Sequence, residues 1–219
     1  MVGAVVFDLD GVLLDSEHLW DQARRRVALD HGGAWRDGAT EAMQGMSSTE
    51  WSRYLADQLG VELPPADIAN QVVEALLARY RDGLPFLPGA VDAVTRLSAR
   101  WPLGLASSAN RPVIDEVLAI AGLNDAFAVT VSSEEVQHGK PDPDVYLEAA
   151  RRLGVNPGTC AAIEDSANGI RAALAAGCQT IAVPNQEYPP PPEVLARTAL
   201  VVASLDELTV AAIEALVPR

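Results

Sequence analysis

The sequence predicts an α/β fold in which a Rossmann-like, doubly wound parallel sheet carries an inserted all-α helical cap domain. From residue 84 onward, strand-like and helical segments alternate with short turns marked by Gly or Pro, which is typical of a parallel sheet covered by helices. Residues 16–80 show helical periodicity and no convincing strand. We therefore expect a core of residues 1–15 and 84–219 and a cap of residues 16–83.

The core elements follow from apolar runs and from the turn residues that bound them. The first strand is the run that ends at Phe7, and helices are expected to end at Gly122, Gly154 and Gly177. Later strands are predicted at 102–107, 127–131, 160–164, 179–183 and 200–203. Helices are predicted at 90–98, from Pro112 to Gly122, and at 143–153 and 167–176.

Three helices are predicted in the cap. Ser16 is expected to cap the first, which ends at Gly32-Gly33, and Ser47 with Glu50 forms a capping-box pattern for the second. The apolar faces are predicted to be Leu19, Ala23 and Val27, then Trp51, Tyr54 and Leu55, and finally Ile68, Val72 and Leu76. Turn-rich connections at 12–15 and 81–89 indicate that the cap can move as a lid.

Composition narrows the class of protein. A hydrophobic content of 49% is ample for a packed core. The formal net charge of −14 argues against a nucleic-acid or anionic-membrane partner, because polyanions are bound by clustered Lys and Arg. No apolar run has the length of a membrane span or a signal peptide, so we expect a cytoplasmic protein. We also expect a monomer. Cys160 and Cys178 are interpreted as buried free thiols.

Polar residues stand at the predicted carboxyl ends of four strands. Asp8 and Asp10 follow the first, Ser107 and Ser108 the second, Lys140 lies after the third, and Glu164-Asp165 ends the fourth. Each of these has an ordinary structural explanation when taken alone, such as a turn or a helix start. Because ligands bind at the carboxyl edge of open α/β sheets, the whole set predicts one functional site.

The charges in this set indicate the chemistry. Four carboxylates at one site need a divalent cation, and oxygen ligands favour Mg²⁺. One aspartate can attack a phosphoryl group and the other can move protons. Lysine and serine suit the oxygens of a phosphoryl group, where charge is concentrated in the transition state.

The same residues resemble the four motifs of the haloacid dehalogenase-like hydrolases. The motifs are Asp8-Leu9-Asp10-Gly11, Ala106-Ser107-Ser108, Gly139-Lys140-Pro141 and Ile163-Glu164-Asp165-Ser166-Ala167-Asn168-Gly169. The resemblance implies that Asp8 is the nucleophile and Asp10 the acid/base, and that Ser107 and Lys140 bind the phosphate. It further implies an Mg²⁺ site formed by the Asp8 carboxylate, the Asp10 backbone carbonyl and Asp165, supported by Glu164. A second aspartate at position 10 points to phosphate esters, because the dehalogenase branch lacks it.

Within that superfamily, the chain resembles the subgroup that contains sugar-phosphate phosphatases and β-phosphoglucomutase. We expect a phosphatase acting on a small phosphorylated metabolite, a sugar or polyol phosphate, because Ser48 stands where the mutases carry an arginine for a second phosphate. Arg53 or Arg111 could compensate, so a mutase is the alternative. Predicted substrate-binding residues are Gly11, Glu17, Ser48, Ser108 and Arg111, and further cap candidates are Trp20, Gln44, Met46 and Trp51. Core packing of the helical bundle is the alternative for both tryptophans and the expected role of Trp51.

A non-catalytic binding protein on the same scaffold would be expected to lack Asp8, Asp10 or Lys140, and all three are present. A P-loop nucleotide triphosphatase is excluded, because Gly139-Lys140 is followed by proline and lacks the spaced glycine before it.

Overall fold

The computed structural model describes residues 1–43, 46–186 and 188–216. Six parallel strands form one sheet in the order β3-β2-β1-β4-β5-β6. The strands are β1 (Ala4–Phe7), β2 (Leu103–Ser107), β3 (Val129–Ser132), β4 (Cys160–Glu164), β5 (Gln179–Ala182) and β6 (Leu200–Val201). The order reverses beside β1, which is the switch point of a doubly wound sheet. The predicted fold class is confirmed.

Helices cover the sheet and fill the segment between β1 and β2. They are α1 (Glu17–Asp30), α2 (Ala39–Met43), α3 (Ser48–Leu59), α4 (Pro65–Asp82), α5 (Ala90–Ser98), α6 (Arg111–Ala121), α7 (Asp144–Leu153), α8 (Ala167–Ala175), α9 (Pro192–Leu195) and α10 (Val210–Glu214). Gly122 and Gly154 end α6 and α7 in the left-handed conformation, as the sequence predicts. The short helices α2, α9 and α10 were not predicted.

Both faces of the sheet are buried, which explains its continuous apolar strands. In β1, Val5 and Phe7 face the larger core, which includes α5 and α6, whereas Ala4 and Val6 face a second core with α7 and α8. Alternate residues of the strand therefore pack against the helices on opposite faces of the sheet. Such a sheet is a rigid support for side chains at its carboxyl edge.

The helical segment between β1 and β2 confirms the inserted cap, while its boundaries at residues 16 and 83 stay a prediction. The capping-box pattern of α3 is present, because the Glu50 carboxylate accepts hydrogen bonds from the Ser47 N–H and hydroxyl. Helix α1 begins after Ser16 as predicted, but the Ser16 hydroxyl makes no capping hydrogen bond. It donates to Asp10 Oδ1 at 2.5 Å instead, so the expected cap is wrong and the residue faces the site.

Among the described residues, no helix is both long and apolar enough to cross a membrane. Cys160 and Cys178 are both buried and free, as predicted.

Candidate active site

The carboxyl ends of the central strands bring the predicted polar residues together. Asp8 follows β1, Ser107 ends β2, Glu164 ends β4, and Lys140 lies in the connection from β3 to α7. A cavity of about 90 Å³ opens at this edge, between the sheet and the cap. It is lined by Asp8, Asp10, Glu17, Trp20, Arg24, Met43, Met46, Trp51, Ser108, Ala109, Lys140, Asp165, Ser166, Asn185 and Tyr188.

Lys140 links the first and fourth motifs. Its Nζ lies 2.9 Å from Asp8 Oδ1 and 2.6 Å from Glu164 Oε1, and it donates to the Ala106 carbonyl at 3.1 Å. The Tyr146 hydroxyl donates to the same Glu164 oxygen at 2.5 Å. Because Glu164 is fully buried and Lys140 is 4% exposed, the ammonium is held in one place by charged partners.

Burial and charge shift the acidities of this cluster. Burial raises the pKa of Asp8 to about 8, since Lys140 only partly offsets burial and the neighbouring Glu164 and Asp10 raise it further. Burial, with Glu164 and Asp8 nearby, also raises the pKa of Asp165 well above its usual value. Burial alone would lower the pKa of Lys140, but Asp8 and Glu164 reverse the effect and raise it. The positive charge of Lys140 is therefore too small to balance the negative charges of the buried carboxylates.

Three of these carboxylates lie close enough together that they could hold a metal ion. Oxygens of Asp8, Glu164 and Asp165 all lie within 4.8 Å of one another. The donors are oxygens only, which suits a hard divalent cation such as Mg²⁺. Two glycines permit this crowding: a Cβ on Gly11, whose φ is +80°, would clash with Asp165 Oδ2, and one on Gly169 would clash with the Glu164 carboxylate.

Asp10 faces the cap as well as the sheet. Its Oδ1 accepts hydrogen bonds from Ser16 Oγ at 2.5 Å and from Trp20 Nε1 at 2.9 Å. Burial raises the pKa of Asp10 despite these two donors. A raised pKa favours the protonated carboxyl, which is the form that can donate a proton.

Helix α1 provides the opposite wall of the cavity. Glu17, Trp20 and Arg24 line it, and the Trp20 and Trp51 rings lie 6.2 Å apart. Arg24, which was not predicted as a site residue, is 4% exposed, and its terminal nitrogen lies 3.3 Å from Glu17 Oε1. Helical phase could have identified it, because Arg24 is one turn from Trp20 on the buried face that also holds Ala23 and Val27.

Several predicted substrate-binding residues do not line this cavity. Ser48 is 3% exposed and donates to Asn110 Oδ1 at 2.5 Å. Arg111 is paired with Asp115 and Glu135 and donates to Thr130. Ser107 is fully buried and its Oγ accepts the Ala109 N–H at 3.0 Å.

The remaining predicted residues are placed as follows. Ser108 does line the cavity, and its buried Oγ has no hydrogen-bond partner within the described part of the chain. Gly11 forms the turn against Asp165 and is not a lining residue. Met46 and Trp51 reach the cavity, whereas Gln44 lies outside the described residues.

Comparison with known proteins decides the family. A family model of haloacid dehalogenase-like hydrolases matches residues 2–177, which contain all four motifs. The chain belongs to the haloacid dehalogenase-like hydrolases. The resemblance predicted from Asp8, Asp10, Lys140 and Asp165 is thereby confirmed.

Relatives of this haloacid dehalogenase-like chain include a hexitol phosphatase and CbbY. It is 35% identical over 210 residues to hexitol phosphatase B of Escherichia coli K12, covering 94% of each chain. Its structure is similar to that of CbbY from Rhodobacter sphaeroides in complex with phosphate, with a TM-score of 0.86, 28% identity and coverage of 98% of this chain and 100% of that one.

A β-phosphoglucomutase from Clostridium difficile is also similar, with a TM-score of 0.84, 26% identity and coverage of 98% and 96%. The comparisons confirm the predicted enzyme class, a phosphatase within this hydrolase family, and its place in the subgroup with sugar-phosphate phosphatases.

Proposed function

We propose that the chain is a Mg²⁺-dependent phosphatase that hydrolyses a small sugar or polyol phosphate through an aspartyl-phosphate intermediate. The observation that carries this proposal is the placement of Lys140 between Asp8 and Glu164, beside Asp165 and at the cavity. An ammonium in that position can hold a phosphoryl group against a carboxylate that attacks it.

The reaction then needs two residues in distinct roles. An Asp8 carboxylate oxygen attacks phosphorus, the bond from phosphorus to the substrate oxygen breaks, and Asp10 donates a proton to the departing oxygen. Asp10 next takes a proton from a water molecule that attacks the aspartyl phosphate. Inorganic phosphate leaves and the Asp8 carboxylate is restored.

Lys140 and the serines at the end of β2 would bind the phosphoryl oxygens. Lys140 supplies a buried positive charge, and Ser108 Oγ is a hydroxyl at the cavity without a partner among the described residues. The role of Ser107 in phosphate binding stays a prediction from the family motif. Such donors stabilise the charge that develops on the transferring group.

Asp8 and Asp165, with Glu164 close by, would hold Mg²⁺. When bound, the cation neutralises negative charge on the carboxylates and on the phosphoryl oxygens. Glu164 is already engaged by Lys140 and Tyr146, so we assign it the support of Lys140 as well as of the metal site.

A sugar or polyol phosphate is the substrate class that the relatives favour, since hexitol phosphatase B is among them. The β-phosphoglucomutase neighbour supports a mutase as the second candidate. A mutase holds a phosphate at both ends of its substrate, and the two arginines considered for the second phosphate, Arg53 and Arg111, do not line the cavity. Arg53 is exposed and Arg111 is paired with Glu135. Ser48, at the position where mutases carry an arginine, donates to Asn110 instead.

The deciding experiment measures phosphate release from hexitol and hexose phosphates by the purified protein with Mg²⁺ and with EDTA. We expect release with Mg²⁺ only, and no release by Asp8→Asn, which keeps the shape of the side chain but removes the nucleophile. Asp57→Asn, an exposed position in α3, is the matched control and should retain wild-type activity. Full activity of Asp8→Asn would overturn the mechanism.

The mutase alternative has its own test. Glucose 1-phosphate is incubated with the protein and a glucose bisphosphate, and glucose 6-phosphate is measured. Interconversion faster than phosphate release would favour the mutase; hydrolysis without interconversion excludes it.

A further inference from the structure

One face of α1 presents a carboxylate, an indole and a guanidinium to the cavity. Glu17, Trp20 and Arg24 are three and four residues apart, so they form one stripe along the helix. Trp20 is committed to Asp10 through its Nε1. Glu17 and Arg24 are polar groups at the same cavity that the chemistry described above does not use.

Arg24 is short of acceptors for a buried guanidinium. Its side chain is 4% exposed, and its hydrogen bond is a 3.3 Å contact from one terminal nitrogen to Glu17. Its Nε has no partner within the described residues, although a guanidinium has five N–H donors. A buried donor left unpaired is costly, so this nitrogen points to an acceptor supplied by a ligand.

Glu17 complements it as an acceptor. Its side chain is 26% exposed, and its pKa is raised by burial, with Arg24 opposing the shift. A hydroxyl group can accept from a guanidinium and donate to a carboxylate at once. Adjacent hydroxyls on a carbon chain therefore match this pair, and the Trp20 and Trp51 rings suit its C–H surfaces.

We propose that Glu17 and Arg24 bind the hydroxyl-bearing end of the substrate that is remote from the phosphate, and thereby select polyhydroxylated monophosphates over bisphosphates. This inference rests on the proposed phosphatase function and names the group that the cap recognises.

Charge explains why a second phosphate does not fit. The single positive charge of Arg24 is already matched by Glu17, and Asp21 and Asp10 also act on Arg24. A second phosphate would bring about two negative charges against a wall with no surplus positive charge. Neutral hydroxyl groups meet no such repulsion.

The first test compares two substrates, glucitol 6-phosphate and p-nitrophenyl phosphate, which has no hydroxyl groups. The quantity measured is the kcat/KM for glucitol 6-phosphate divided by the kcat/KM for p-nitrophenyl phosphate. Arg24→Gln is expected to lower this ratio by about 10- to 100-fold, because hydrogen bonds from a charged group to the substrate hydroxyls are lost. The matched control is Arg26→Gln on the same helix, whose side chain is 74% exposed and whose ratio should equal that of the wild type.

The second test uses Glu17→Gln, which also serves if Arg24→Gln does not fold. Removing this carboxylate leaves Arg24 unmatched, so the kcat/KM for fructose 1,6-bisphosphate relative to glucitol 6-phosphate should rise by about 10-fold. An unchanged bisphosphate ratio in Glu17→Gln, or equal losses on both substrates in a folded Arg24→Gln, overturns the inference. If the inference is overturned but the wild-type protein hydrolyses p-nitrophenyl phosphate, the proposed phosphatase function still stands. If the wild-type protein hydrolyses no phosphate ester, the proposed function and this inference are both wrong.

Discussion

The acids around Lys140 hold more protons in the folded chain than in the unfolded chain. Asp8 has a pKa of about 8 against a usual value of 3.8, mainly because burial disfavours its charged form. Asp10 and Asp165 are shifted in the same direction by burial. Asp8 therefore keeps an extra proton in the native state between about pH 4 and pH 8, and loses it as the pH rises through that range.

This proton balance predicts a pH-dependent stability for the protein in EDTA. The free energy of unfolding should fall between pH 5.5 and pH 8, by about 1.4 kcal/mol per pH unit for each proton released. Urea unfolding at several pH values measures it.

Two additions test the cause of this fall. Asp8→Asn, which removes one titrating group, should flatten the slope. Mg²⁺ should stabilise the protein more at pH 8 than at pH 5.5, since it competes with those protons. A stability that rises through this range in EDTA would contradict the assignment.

Single residues also show where sequence reasoning stops. Asp8 and Lys140 were found because their positions after the first and third strands follow from chain order. Arg24 was missed, since it is the first of three consecutive arginines, Arg24 to Arg26, and such a run resembles a solvent-exposed charged face. Ser16 was placed correctly but given the wrong partner, because its hydroxyl can reach either a backbone N–H or Asp10.

A buried hydrogen bond joins helix α3 to the core. Ser48, its first residue, donates to Asn110 just before α6, and Asn110 in turn donates to Glu134 at 2.6 Å. This chain of hydrogen bonds crosses from the cap to the sheet edge. These hydrogen bonds favour one position of the cap over the cavity.

We expect Ser48→Ala to destabilise this position of the cap. The Asn110 oxygen would lose its donor in a buried position, at a cost of about 1–3 kcal/mol. If the cap must be seated for binding, KM for a sugar phosphate should rise several-fold with a smaller change in kcat. Steady-state kinetics measure this effect.

Ser52→Ala is the matched control, because Ser52 is equally buried in α3 but makes only a 3.4 Å contact with the Thr49 carbonyl. An equal KM for the Ser48→Ala variant and the wild type would show that the contact is dispensable.

At the level of elements, the strands were predicted within about two residues because each is a short apolar run bounded by Gly, Pro or polar residues. Helix α2 was missed, since five residues carry too little periodicity for detection. The packing of α3 on the core depends on long-range contacts such as the one between Ser48 and Asn110. These two residues are 62 positions apart in the chain, so a local sequence pattern cannot reveal their contact.

The whole molecule carries a net charge of −14 and is proposed to bind an anionic ester. Its positive charge at the cavity is buried, and Lys140 is 4% exposed. The field that an approaching substrate meets is therefore dominated by surface carboxylates, which repel it. Salt screens this repulsion over a distance of about 10 Å at 0.1 M.

Association should consequently become faster at higher ionic strength. With Mg²⁺ saturating, kcat/KM for a doubly charged phosphate ester should rise between 20 mM and 200 mM KCl, because screening reduces the repulsion. The control is a singly charged phosphodiester or another slow substrate of lower charge, for which the rise should be smaller. A fall in kcat/KM with salt would mean that local cations govern association.

The stripe formed by Glu17, Trp20 and Arg24 has a consequence for how this protein can change over generations. The side chains at the strand ends are drawn from separate segments between Asp8 and Asp165. The opposite wall of the cavity owes three of its members to eight consecutive codons. Mutation of Glu17 or Arg24 can alter one wall without touching Asp10, whereas Trp20 also donates to Asp10, so new preferences can arise at two of these codons without rebuilding the machinery that cleaves the ester.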